Sequence, residues 1–131
     1  MGRSICLDTD ILVDILRNKK GVVEWISQVE GKNDLCTTII NVFEVYVGAY
    51  LSPNPEKKIK DVESMLSKLR IINLSLEKVK VAAHQFAILR QRGSLIDNED
   101  LLIGVTALLD DCILKTNNKK HLQRINGLRL V

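Results

Sequence analysis

No apolar run in this chain approaches the roughly eighteen residues that a membrane-spanning helix needs. Met1-Gly2-Arg3 leads straight into a strand-like Ser4-Ile5-Cys6-Leu7 instead of a signal peptide's longer apolar core. The expected location is therefore cytoplasmic, with no membrane partner. Cysteine is scarce: Cys6, Cys36 and Cys112 are odd in number and isolated in apolar stretches. That argues against a disulfide framework or a zinc site and leaves them as small buried hydrophobes. Histidine is scarcer still, because His84 and His121 are far apart and form no HxxxH pair, so a zinc or facial-triad site is not suggested. Nor is a serine or cysteine triad. Aromatic residues are only 4% of the chain, too few for extensive base stacking. The net charge of +3 identifies no nucleic-acid binder, since counterion release rewards local clusters of Lys and Arg.

What is present is an ordinary globular composition. The 131 residues fit one domain, 1–131, and the 46% apolar share can fill a core without a structural metal. Short apolar strands alternate with helical periodicity. Ser4 to Leu7 ends at Asp8-Thr9, a cap pair that opens a helix over 10–18, and a second helix covers 21–30. A strand at 35–37 leads through Thr38 into an apolar helix over 39–50, which Pro53 and Pro55 stop. A helix over 56–69 and a strand at 70–74 follow. A long helix over 77–92 ends at Gly93, then come a helix over 97–110, a strand at 112–116, a helical turn over 119–124 and a short edge strand near 128–130. This order predicts an α/β fold, a four- to five-stranded, mainly parallel sheet between helical layers. In such sheets the residues just beyond the strand ends are the ones to inspect for a site.

Asp8 stands directly after the first strand, and Thr116-Asn117-Asn118 directly after the fourth. A helix cap would explain Asp8 without chemistry. Glu44 is harder to explain, because its helix is apolar almost all round and such helices are largely buried. Asn41, Glu44 and Gly48 form a narrow polar and small-residue stripe on it, with Gly48 suited equally to close approach of backbone or substrate and to simple helix packing. A buried carboxylate must be paired, neutralised or bound to a metal, and no Lys or Arg shares the helix. Asp97 suits the cap of the 97–110 helix, while Asp100 beside Leu101-Leu102-Ile103-Gly104 points inward. Acids without histidine or thiolate match a hard cation such as Mg²⁺.

Four segments in order resemble the VapC group of PIN-domain nucleases, toxins of type II toxin–antitoxin pairs. They are Leu7-Asp8-Thr9-Asp10-Ile11-Leu12-Val13-Asp14, Asn41-Val42-Phe43-Glu44 with Gly48-Ala49, Asn98 to Gly104, and Thr116 to Leu122 before Gly127-Leu128. The resemblance implies a PIN-like three-layer fold and a ribonuclease using Mg²⁺ or Mn²⁺. It makes Asp8, Glu44 and Asp100 the catalytic and metal-binding acids, with Asp97 an auxiliary ligand. Thr9, Thr116 and Asn118 would orient carboxylates or phosphate, Asn118 standing where many PIN domains have an acid. Lys119, Lys120 and Arg124 are placed to track RNA backbone. The implied partners are RNA, a cognate VapB-like antitoxin whose arginine enters the acidic groove, and a second copy in a homodimer. A PIN nuclease of RNA processing or of DNA, an inactive PIN-like binding module and a phosphoacceptor signalling domain are the competing readings. The last needs an acceptor Asp after a central strand, and Ile71-Ile72-Asn73-Leu74-Ser75 offers none.

Overall fold

A computed structural model describes residues 2–131 of the protein. Four strands, β1 (Ser4–Leu7), β2 (Asp34–Thr38), β3 (Arg70–Ile72) and β4 (Ile113–Lys115), form one sheet in the order β3-β2-β1-β4. Every pairing is parallel, with Ile5 opposite both Leu35 and Ile113 and Thr37 opposite Ile71. Seven helices connect them among the described residues: α1 (Thr9–Leu16), α2 (Lys20–Val29), α3 (Ile39–Tyr50), α4 (Pro55–Leu66), α5 (Leu76–Gln91), α6 (Asn98–Leu109) and α7 (Lys119–Leu122). The edge strand expected near 128–130 is reduced to one bridge, Leu114 to Leu130. Leu114 donates to the Arg129 carbonyl and accepts from Val131, so the tail touches β4 for one residue only.

Alternation along β1 divides the core. Ile5 and Leu7 face one way, toward Ile11 and Leu12 of α1, Val45 and Ala49 of α3 and Val62 and Met65 of α4. Cys6 faces the other way, with Cys36, Ile72 and Leu114, toward Ala82 and Leu89 of α5 and Leu101, Ile103 and Val105 of α6. Burial on both faces explains why the strands read as short continuous apolar runs instead of alternating ones.

Polar side chains set the helix starts. Asn54 caps α4 with Pro55 in its first turn, and Ser75 caps α5 through the Lys78 N–H. Gly93, at φ +70°, turns the chain out of α5 toward α6. The three cysteines are buried as expected, but they are not isolated in space, since Cys36 Sγ lies 3.7 Å from Cys112 Sγ.

One expectation fails. The helix that looked apolar all round is not largely buried, because Phe43 is 66% exposed and Leu51, at its C-cap, 81%. Ile39, Phe43, Val47 and Tyr50 follow helical spacing and leave an open apolar stripe along α3. Among the described residues no helix is long and apolar enough to cross a membrane.

Candidate active site

The site is built where β1, β2 and β4 end. The Asp8 N–H donates to the Lys115 carbonyl at 3.0 Å, carrying the β1–β4 ladder one step past the strand. Asp8 and Thr116 therefore stand side by side. Asp8 is only 6% exposed. Its Oδ1 accepts from the Thr9 N–H at 2.8 Å and from Asn41 Nδ2 at 3.1 Å, and its Oδ2 accepts from the Thr116 hydroxyl at 2.7 Å.

Asn41 is held just as tightly. Thr38 ends β2 and caps α3 by accepting from the Asn41 N–H, while Asn41 Oδ1 accepts from the Thr38 N–H and hydroxyl. That fixes the amide so that Nδ2 also donates to Thr9 Oγ1 at 2.9 Å. The Thr9 hydroxyl in turn donates to Glu44 Oε1 at 2.5 Å. One turn along α3, Glu44 is thus tied to the start of α1.

On the other side, the Thr116 hydroxyl accepts from the Asn118 N–H at 2.9 Å, and Asn118 Nδ2 donates to Asp100 Oδ2 at 3.3 Å. An unbroken chain of hydrogen bonds therefore runs Glu44, Thr9, Asn41, Asp8, Thr116, Asn118, Asp100. Donors and acceptors are consistent throughout, each hydroxyl accepting once and donating once.

The three acids repel one another. Burial, then the charges of Asp8, Asp97 and Glu44, pushes the Asp100 carboxyl up to about 6, with His121 acting against them. Glu44 is also raised, mainly by burial and further by Asp8 and Glu99, although the Thr9 bond opposes this. Among the described residues no ion pair involves Asp8, Glu44, Asp97 or Asp100. The oxygens left over face a region of uncompensated negative charge.

Two sequence expectations are corrected here. Asp97 does occupy the N-cap position of α6, but its carboxylate makes no capping bond and stays exposed. Glu99 and Asp100 already supply the negative charge that the first turn favours. Gly48 is not required for close approach of the protein's own backbone, since a methyl added there would meet no protein atom within 4 Å. Lys119 and Lys120 are exposed at the start of α7, whereas Arg124 is partly committed, donating to the Leu95 carbonyl.

Two other residues emerge only from the fold. In the sequence Asn41 reads as part of a stripe, three residues before Glu44, and only the fold makes it the bridge between Glu44 and Asp8. Asp10, two residues after Asp8, accepts from the Asn117 N–H at 2.9 Å and so ties α1 to the β4–α7 loop. Its Oδ1 is buried without a hydrogen-bond partner, and burial raises its carboxyl, with the Asn117 bond opposing and Asp8 adding to the shift. A groove of about 690 Å³ between α1, α2 and α4 contains none of the candidate acids.

A parallel sheet whose carboxyl-end rim gathers acids from β1, α3 and α6 is the arrangement of a PIN domain, and the profile of that family matches residues 5–128. The chain belongs to the PIN-domain family. Within it the chain groups with VapC proteins: it is 31% identical over 124 residues to ribonuclease VapC2 of Haemophilus influenzae, covering 94% of this chain and 92% of that one. The solved VapBC2 complex from Rickettsia felis, bound to a DNA fragment from its promoter, superposes with a TM-score of 0.91 at 27% identity, over 98% of this chain and 97% of that chain. VapBC-1 from nontypeable H. influenzae gives 0.87 at 27% identity, over 98% and 96%.

Proposed function

We propose that the protein is a Mg²⁺- or Mn²⁺-dependent endoribonuclease, the toxin of a VapBC-like pair, with Asp8, Glu44 and Asp100 as its working acids. The observation that carries this reading is the hydrogen-bond chain joining those three carboxylates. It fixes their orientation while leaving their charge unpaired.

The donor set suits a hard cation. All the groups are oxygens, and among the described residues no three acids, imidazoles or thiols stand close enough to form a ready-made cage. Mg²⁺ needs no such cage, because it keeps several waters and is held by one or two carboxylates together with substrate phosphates. Asp8, Glu44 and Asp100 would hold it, with Asp97 in reserve. When bound, the ion supplies charge neutralisation at the scissile phosphate and acidifies water for attack.

The chain's own residues do the rest. Thr9 and Asn41 hold the Glu44 and Asp8 carboxylates in fixed rotation, and Thr116 does so from the other side. Asn118 steadies Asp100 and, standing at the rim, offers an amide to a phosphate oxygen. Lys119 and Lys120 attract the RNA backbone without reading its sequence.

The direct test is cleavage of RNA by the purified protein. Degradation is expected with Mg²⁺ or Mn²⁺ and none in excess chelator; undiminished cleavage in chelator sinks the proposal. The raised Asp100 carboxyl adds a pH signature. Proton and cation compete for the same oxygens, so Mn²⁺ affinity measured by calorimetry is flat above neutrality and falls as pH drops through about 6. Without metal the sign for stability is opposite. A raised carboxyl favours the protonated fold, so that contribution is full below 3.8 and is lost as pH rises through about 6.

A VapB-like antitoxin fits the same electrostatics, because an unpaired acidic rim attracts the planar fork of an arginine. The open stripe of Ile39, Phe43, Val47 and Tyr50 on α3 favours a homodimer, since contiguous exposed apolar surface of this kind marks an interface.

A further inference from the structure

Beside the acids lies a second cavity, of about 450 Å³, whose lining the cleavage chemistry leaves unused apart from Asp97. Phe86, Leu95 and Ile96 give it an apolar wall, Asp97 and Glu99 an acidic rim, and His121 a second flat face. It adjoins the proposed cleavage site. Asp97 and His121 both act on the Asp100 carboxyl, Glu99 acts on Glu44, and the helix bearing His121 follows directly on Asn118. The cavity is also braced, because Arg124 holds the Leu95 carbonyl and Ile96 is buried in the core.

The lining selects its occupant. Two carboxylates on the rim repel phosphate, so the sugar–phosphate backbone is excluded. Among the parts of an RNA strand, an uncharged, planar group with N–H donors is favoured. In an RNA strand held at Asp8, Glu44 and Asp100 that group is a base, turned out of its stack and set against an aromatic or imidazole face. Guanine matches best, because its ring N–H and amino group lie side by side and present two donors to one carboxylate, whereas uracil presents one. We propose that this cavity is a subsite for an unpaired guanine next to the scissile phosphate, with Glu99 reading its donors and Phe86 packing on its ring. The proposal rests on the ribonuclease reading. A single subsite also fits the low aromatic content of the chain.

The test is binding of fluorescein-labelled hexaribonucleotides to the full chain in Ca²⁺, comparing all-uridine RNA with strands carrying one G, A or C. Wild type is expected to favour the guanine strand by at least about fivefold. Glu99→Gln, at an exposed position, and Phe86→Leu, which keeps apolar packing but loses the ring, should each shrink that ratio below about twofold. Equal affinities in the wild type, preference for another base, or a guanine preference that survives both variants overturns the subsite. A parallel Mn²⁺ cleavage assay separates the two ideas. Cleavage without guanine discrimination removes the subsite alone, and guanine discrimination without cleavage removes the nuclease reading alone.

Discussion

Asp8→Asn is expected to reduce divalent-dependent RNA cleavage by at least about 10³-fold, the order lost when a group acting in the transition state is removed. The fold should survive. Asparagine has the shape of aspartate, and its carbonyl oxygen can keep the bonds from the Thr9 N–H and Asn41 Nδ2. Its amide nitrogen then takes the place of Oδ2 and meets the Thr116 hydroxyl, which can rotate to accept while still accepting from Asn118. The buried Thr116 hydroxyl then accepts twice and its own proton loses its acceptor, so the stability cost is about 1–3 kcal/mol. Removing the charge also relieves repulsion on Glu44 and Asp100, since Asp8 raises both. What is lost is the negative charge at the centre of the chain of acids. Gel assays of RNA cleavage in Mg²⁺ and Mn²⁺, with thermal unfolding of the same samples, check both halves. Wild-type cleavage by a folded variant removes Asp8 from the mechanism.

The contrast with Asp97 explains how much of this site was legible in sequence. Asp8 stands out because it sits where a strand ends, Glu44 because it is the lone acid of an apolar helix, and Asp100 because an apolar run follows it directly, and those are local patterns. Asp97 fits a capping pattern equally well, yet makes no capping bond, because which carboxylate serves a helix end depends on neighbouring charges. Asn41 was the hardest to read. Its partners Thr38, Thr9 and Asp8 come from β2 and α1, and no periodicity within α3 reveals a bond to another element. The parallel α/β fold was legible because buried strands and amphipathic helices alternate with clear stops. The open face of α3 was not, since a sequence apolar all round does not say which side the rest of the domain leaves uncovered.

Asn41→Leu tests the importance of that bridge. Asn41 is fully buried and its amide makes four side-chain contacts, receiving two from Thr38 and giving one each to Asp8 and Thr9. Leucine matches its size but strands the Thr38 N–H and hydroxyl and deprives Asp8 of a donor. Two buried donors without partners cost about 2–5 kcal/mol, read as a lower urea midpoint with little change in slope. Cleavage should fall too, because Glu44 and Asp8 lose the group that orients them. Asn41→Asp separates these effects by charge. It keeps the acceptor for Thr38 but sets a second carboxylate against Asp8, and burial beside a like charge raises its carboxyl. Protonated, it can donate where the amide did, so near pH 4 the Asp variant should be clearly more stable than the Leu variant. That advantage disappears as pH rises and the new carboxyl ionises, whereas the deficit of the Leu variant relative to wild type stays nearly constant. Identical pH profiles for the two variants would mean that packing alone, and not the hydrogen-bonded bridge, makes Asn41 matter.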